Sequence, residues 1–125
     1  MKKQLVALVA ASLVMVCIVS LPVVAEDDDA PKYKIKDVMK KAFKGPLMKK
    51  VESGNASDAE KKELYDMLVA LGKNSPPKGD ADSWQQLTST LAKAGKDAVD
   101  GDPGAGKALT KAKNCKACHS KHKPS

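Results

Sequence analysis

The sequence predicts an all-α fold, an antiparallel up-down-up-down bundle of four helices. Apolar residues recur at helical spacing in four stretches, Gly and Pro mark the loops between them, and no run after residue 25 alternates as a β-strand would. The chain of 125 residues is long enough for one domain. Four consecutive helices joined by short loops pack antiparallel around a common core.

The first predicted helix has apolar residues at the spacing i, i+3, i+4, i+7 and i+8, namely Ile35, Val38, Met39, Ala42 and Phe43. Pro46 breaks or kinks this helix, unless it opens a further segment that carries Leu47, Met48 and Val51. A turn over residues 53–55 then separates this part of the chain from the second helix.

The second helix begins with a capping box formed by Ser57 and Glu60, and it ends at Gly72. Its apolar stripe consists of Leu64, Leu68 and Leu71. A loop rich in Pro and Gly follows. We expect Ser83 and Gln86 to cap the third helix. Its stripe consists of Trp84, Leu87, Leu91, Ala94 and Ala98.

The fourth helix follows a break over residues 101–104, where Gly and Pro again interrupt the pattern. It is predicted to run without interruption from about Ala105 toward His119. Only four aromatic side chains are available to the whole chain, so the core is expected to be thin and a large apolar ligand would help to fill it.

The first 25 residues have the layout of a secretory signal peptide. Two lysines precede an apolar run over residues 5–24, and a V-x-A site ends at Ala25. About 20 apolar residues could also form an uncleaved membrane anchor. Pro22 and the acidic run over residues 26–29 favour cleavage after Ala25.

Cleavage would leave a flexible acidic leader at residues 26–32 and a helical domain at residues 33–125. We expect this product to be periplasmic and to have no membrane span. The chain contains 22 Lys, no Arg and 15 acidic residues. Because it lacks Arg forks and interleaved aromatic residues, its positive charge favours acidic protein partners over nucleic acid.

The strongest motif is C-x-x-C-H over residues 115–119, formed by Cys115, Cys118 and His119. Residues i and i+3 of a helix project from one face, so both thiols can form thioethers to one haem, while the adjacent imidazole binds its iron. A thioredoxin-like dithiol is less favoured, because that motif lies at the start of a helix beside a strand, and here it is expected near a helix end.

A zinc site made of Cys115, Cys118, His119 and His122 would crowd four ligands onto about two helical turns, whereas structural zinc sites recruit ligand pairs from separate segments. His122 follows His119 too closely to reach the opposite face of the same iron. It is predicted to be a solvated residue of the C-terminal tail, since lysines surround it.

A C-terminal C-x-x-C-H on the last of four helices resembles the class II c-type cytochromes, which comprise the cytochromes c′ and their low-spin relatives of the c556 type. The resemblance implies covalently attached haem c near the end of the last helix and a distal residue on the first helix. This distal residue is Met in the low-spin members of the family, whereas in typical cytochromes c′ it is an apolar residue that does not bind the iron. The family often forms homodimers, and the sequence leaves the oligomeric state open.

Topology independently nominates the distal iron ligand. The end of the fourth helix should meet the start of the first and third helices and the end of the second. Within those regions only Met39 and Met67 offer a thioether, and Met39 lies at the matching depth. A haem without a protein ligand on this side, shielded by Phe43 and Met39, is the remaining alternative. Lys36 or Lys40 could pair with a haem propionate, a role that Arg commonly has in cytochromes c′.

These residues predict an exported mono-haem cytochrome that carries single electrons and is not an enzyme, with redox partners that are acidic proteins. Exposed lysines near the haem would attract such partners: Lys78, Lys113, Lys116, Lys121 and Lys123. The alternative is a five-coordinate protein that binds NO or CO. No paired carboxylates, activated nucleophile or phosphate-binding loop indicates catalysis.

Overall fold

The computed structural model describes residues 30–125, and within them the fold is all-α, with packed helices and no strand. The signal peptide predicted for residues 1–25 and residues 26–29 of the acidic leader lie outside the described residues. The helices are α1 (Ile35–Val38), a π-helical segment (Met39–Phe43), α2 (Leu47–Glu52), α3 (Asp58–Lys73), α4 (Ala81–Val99), α5 (Ala105–Ala112) and α6 (Cys115–His122).

The chain from α1 to α2 corresponds to the first predicted helix and its extension beyond Pro46. The backbone N–H of Lys44 donates to the carbonyl of Met39, five residues earlier, so the helix widens to a π turn before it ends. Pro46 then lies at the N-cap of α2. The residues predicted for this extension are all buried: Leu47, Met48 and Val51. Pro46 therefore opens a further helix.

The capping box predicted for the second helix is confirmed at the start of α3. The Ser57 hydroxyl accepts a hydrogen bond from the Glu60 N–H at 3.2 Å, and the Glu60 carboxylate accepts one from the Ser57 N–H at 2.9 Å. A hydrogen bond from the Lys50 side chain is the main cause that lowers the pKa of Glu60. The predicted leucines Leu64, Leu68 and Leu71 are buried.

The predicted cap of the third helix is wrong, because α4 begins earlier. Asp80 is the N-cap of α4, and its carboxylate accepts a hydrogen bond from the Ser83 N–H at 2.7 Å. This bond is the main cause that lowers the pKa of Asp80. Ser83 lies inside the first turn, where its hydroxyl is free to bond elsewhere.

The helices enclose a core of aliphatic, Met and Ala side chains. The most extensive contact joins α3 to α4; α4 also packs against α5 and α6, while α2 packs against α3 and α5, and α1 against α3. Among the Trp, Tyr and Phe side chains of residues 30–125, only Trp84 is buried. No helix within residues 30–125 has the length and apolar content needed to cross a membrane.

The close approach of α5 to the end of α2 depends on Gly106. A Cβ atom at this position would overlap the carbonyl oxygen of Glu52. We expect Gly106→Ala to lower the free energy of unfolding by about 1–3 kcal/mol, because the two helices must move apart. Urea denaturation measures the loss. The control Lys107→Ala changes an exposed residue of the same helix and should stay within about 0.5 kcal/mol of the parent protein. Equal stability of both variants would contradict this packing.

Candidate functional site

A cavity of about 680 Å³ lies where α1, the π segment, α4 and α6 meet. Its volume falls within the range of about 300–1,000 Å³ typical of small-molecule and cofactor sites. Most of its lining is apolar, with side chains that include Ile35, Phe43, Leu71, Trp84, Leu87 and Leu91. Leu64 and Leu68, from the apolar stripe of α3, are fully buried and do not line it.

The C-x-x-C-H motif opens a helix of its own, and the prediction of one uninterrupted fourth helix is wrong. The helix α5 ends at Ala112. The side-chain oxygen of Asn114 then accepts a hydrogen bond from the Ala117 N–H at 3.0 Å and caps α6. Cys115 is therefore the first residue of α6. An Asn side chain competes for backbone N–H groups in this way, which interrupts a helix.

Both cysteines of the motif line the cavity together with His119. Neither cysteine is in a disulfide; Cys115 is exposed and Cys118 partly buried. Burial is the main cause that raises the pKa of the Cys118 thiol, and the neighbouring Cys115 adds to the effect. A reactive dithiol of the thioredoxin type has a lowered pKa. Because Cys115 is the first residue of α6, the position of the motif in its helix no longer argues against such a dithiol. The raised pKa of Cys118 and the absence of strands among residues 30–125 still argue against it.

Met39 and Met67, the two candidates for a distal ligand, lie in different surroundings. Met39 is in the π segment and lines the same cavity as the motif. Met67 lies on α3, is fully buried in the core and does not line the cavity. A group bound in this cavity would therefore have the Met39 side chain within its walls and would be separated from Met67.

The lysines proposed for an anionic group are not equivalent. Lys36 lines the cavity and Lys40 does not. Three lysines that sequence reasoning did not nominate for this role also line it: Lys44, Lys113 and Lys123. The cavity therefore combines an apolar interior with several cationic side chains, which suits a planar apolar ligand that carries carboxylates.

The residues present fit a covalently attached haem, because two thiols, an imidazole and a thioether line one apolar cavity. They do not form a preassembled metal site. Within residues 30–125 no three His, Cys, Asp or Glu side chains are grouped so that they could hold a metal ion. The zinc arrangement considered from the sequence thus lacks a ready set of ligands.

His122 is buried, and its prediction as a solvated tail residue is wrong. Only 2% of it is exposed. Its Nδ1 lies 2.7 Å from the Lys78 carbonyl oxygen, and its Nε2 lies 3.2 Å from the Ser83 hydroxyl. Its ring packs against the Trp84 ring in a T-shaped arrangement, with 5.3 Å between the ring centroids. A signal for this burial was present in the sequence, since Cys115, Cys118, His119 and His122 have the spacing i, i+3, i+4 and i+7 of one helix face.

An ion pair holds the break between α5 and α6 against the end of α2. The Lys113 ammonium lies 2.7 Å from Oε1 of Glu52 and donates a hydrogen bond to Oε2 at 2.8 Å. The side chains are 27% and 13% exposed, so both charges are largely removed from water. Sequence reasoning placed Lys113 on the partner-binding surface and missed this pair, whose members are 61 residues apart.

No protein-family model, curated protein or solved structure matches this chain.

Breaking the ion pair at the α5–α6 junction should destabilise the protein. We expect Lys113→Met to cost about 1–3 kcal/mol in unfolding free energy, because Glu52 keeps a charge that is mostly buried and unpaired. Adding Glu52→Gln should recover part of the loss in a double-mutant cycle. The control Lys93→Met removes an exposed i,i+4 pair with Asp97 and should cost less than about 1 kcal/mol. Additive effects of the two junction substitutions would show that the pair does not couple.

Proposed function

We propose that this chain is an exported mono-haem c-type cytochrome that carries single electrons between acidic partner proteins. The observation that carries the proposal is that both thiols and the imidazole of C-x-x-C-H line one apolar cavity with the Met39 thioether. Chance placement of this motif on a surface helix would not bring a second type of iron ligand to the same cavity.

The proposed architecture is that of a class II c-type cytochrome. In this proposal α1, the π segment and α2 form the first arm of a four-helix bundle, α3 and α4 the second and third, and α5 with α6 the fourth. The contacts of α4 with α3, α5 and α6 support this grouping, as does the packing of α1 and α2 on α3. The interruption before α6 is then a bend within the last arm.

Each ligand residue has a defined task in this proposal. Cys115 and Cys118 would hold the haem through thioethers, and His119 and Met39 would supply the two protein ligands of its iron. The bound haem supplies a one-electron redox centre. Two protein ligands leave no iron position open to substrate, and the Met thioether raises the potential relative to a second imidazole. We therefore assign no catalytic residue.

The five-coordinate alternative differs from this proposal only in what Met39 does. Phe43 also lines the cavity, and apolar side chains there would shield an open iron face if Met39 did not bind it. A protein of that kind would take up NO or CO. The absorption spectrum of the haem and the effects of substituting Met39 and Met67 distinguish the two functions.

The proposed docking surface for redox partners surrounds α6. Lys78, Lys116, Lys121 and Lys123 are exposed there, whereas Lys113 is engaged with Glu52. Cationic side chains at the edge of a redox site raise the rate of encounter with acidic partners and do so less at high ionic strength. The signal peptide proposed for residues 1–25 would place this surface in the periplasm, where c-type haem is attached.

Covalent haem is tested by expression in a host that exports and matures c-type cytochromes. The purified chain should begin at Glu26, and its intact mass should exceed that of the polypeptide by one haem. Cys115→Ala with Cys118→Ala should yield a colourless product of polypeptide mass that folds poorly, since the haem fills the cavity. Cys17→Ala is the control, because Cys17 lies in the predicted signal peptide, and it should not change the mass of the mature protein. Bare polypeptide from the parent gene would rule out the proposed function.

The distal ligand is tested by two substitutions that each exchange a thioether for a side chain of similar volume. Met39→Leu should remove the near-infrared band of ferric His–Met haem, lower the midpoint potential and allow CO to bind. Met67→Leu is the control and should keep the band, because Met67 does not line the cavity. A high-spin spectrum and CO binding in the parent protein would favour the gas-binding alternative. Loss of the band in Met67→Leu but not in Met39→Leu would identify Met67 as the iron ligand.

Electrostatic steering is tested with small redox reagents of opposite charge. The rate of electron exchange with an anionic iron cyanide complex should fall as salt is added, whereas the rate with a cationic ruthenium ammine should rise. Lys116→Glu with Lys121→Glu should slow the anionic reaction by about tenfold at low salt. Lys49→Glu with Lys107→Glu makes the same change in net charge at exposed positions on α2 and α5, outside the surface around α6. Equal slowing by both pairs would mean that net charge alone, and not this surface, attracts the reagent.

A further inference from the structure

The C-terminal end of the chain is fixed by contacts that the haem ligands themselves do not make. His122 follows His119 by three residues on α6 and is almost fully buried. Its Nδ1 faces the Lys78 carbonyl at 2.7 Å. A carbonyl oxygen can only accept a hydrogen bond, so the neutral ring carries its proton on Nδ1. Its Nε2 then accepts a hydrogen bond from the Ser83 hydroxyl at 3.2 Å.

The loop before α4 is shaped to receive this histidine. Gly79 has a φ of +85°, in the left-handed region that glycine adopts without strain. A Cβ atom on Gly79 would lie 2.7 Å from Nδ1 of His122 and 2.6 Å from the Lys121 carbonyl oxygen. Only a residue without a side chain therefore allows the loop to lie this close to α6.

The same contact continues through Trp84 to the start of α1. The Trp84 ring packs on the edge of His122, and its Nε1 donates to the Asn74 carbonyl at 2.8 Å. The Asn74 side-chain amide in turn donates to the Tyr33 carbonyl at 2.8 Å. Tyr33 lies just before α1, which leads into the π segment that carries Met39. One network thus connects the two parts of the chain that supply the proposed axial ligands.

We infer that His122 is a positioning residue that fixes α6, and with it Cys118 and His119, against the loop at residues 78–80 and the first turn of α4. Its effect on iron ligation rests on the proposed function, whereas its role as an anchor of α6 does not. The hydrogen bond to the Lys78 carbonyl and the close approach that Gly79 allows provide the anchor. The contact with Trp84 connects this anchor, through Asn74, to the residue before α1.

The first test measures hydrogen exchange of the α6 amides in the intact protein, since exchange reports local opening of a helix. His122→Phe keeps an aromatic ring against Trp84 and removes both hydrogen bonds. It should speed exchange in α6 by about tenfold, the change expected for a lost buried hydrogen bond, and leave α3 unchanged. His122→Asn keeps an N–H donor for Lys78 and should speed exchange less. Unchanged exchange in His122→Phe, or faster exchange in His122→Asn than in His122→Phe, would overturn the inference.

A second pair of variants tests the anchor without changing His122. Gly79→Ala and Gly101→Ala place a side chain at nearly the same positive φ, +85° and +81°, so their backbone strain is comparable. A Cβ on Gly101 meets open space, whereas one on Gly79 meets the His122 ring. Only Gly79→Ala should speed exchange in α6. Equal effects of both substitutions in α6 would overturn the inference even if His122→Phe failed to fold.

The loaded protein supplies a separate readout. His122→Phe should weaken the near-infrared His–Met band, whereas Leu64→Ala should lower stability and keep the band, because Leu64 is buried outside the cavity lining. If the parent protein is colourless and His122→Phe still speeds hydrogen exchange in α6, the proposed electron-carrier function is overturned and the role of His122 as an anchor is supported. If the parent protein carries haem and His122→Phe leaves hydrogen exchange in α6 unchanged, the proposed function is supported and the role of His122 as an anchor is overturned.

Discussion

The hydrogen bond from the Ala117 N–H to the Asn114 side chain separates α5 from α6, and the position of the motif depends on this break. A continuous helix from Ala105 onward would keep the motif on the axis of α5. The break instead gives α6 its own direction, in which both cysteines and both histidines face the cavity. The Lys113–Glu52 ion pair holds the junction from one side and His122 holds the end of α6 from the other.

Local signals in the sequence predicted the elements that depend on local interactions. Ser57 and Glu60 form a capping box because their partners are three residues away, and Leu64 and Leu68 are buried because they share a helix face. The Asn before the motif is a preferred N-cap residue. Its signal was present, but the apolar pattern that continues through Ala112 into Cys115 predicted an unbroken helix.

The remaining contacts of the site could not be read from local pattern. The bond between Asn74 and the Tyr33 carbonyl joins residues 41 positions apart, and the bond between His122 and the Lys78 carbonyl joins residues 44 apart. Such pairs depend on how the helices pack, which spacing along one helix does not specify. The lysines around His122 favoured a solvated tail, yet a short polar helix can bury one face while its charged residues remain in water.

The π turn lies in the segment from α1 to α2, which supplies residues to both the core and the cavity. Val38 and Ala42 are buried in the core, while Met39 and Phe43, each one residue later, line the cavity. An α-helix would bring residue 45 or 46 back to the core face after Ala42, but Pro46 has no N–H to continue the helix. The bond from the Lys44 N–H to the Met39 carbonyl closes a π turn at the end of this helix. Leu47, the next buried position, opens α2, so the core continues into that helix while Met39 lines the cavity.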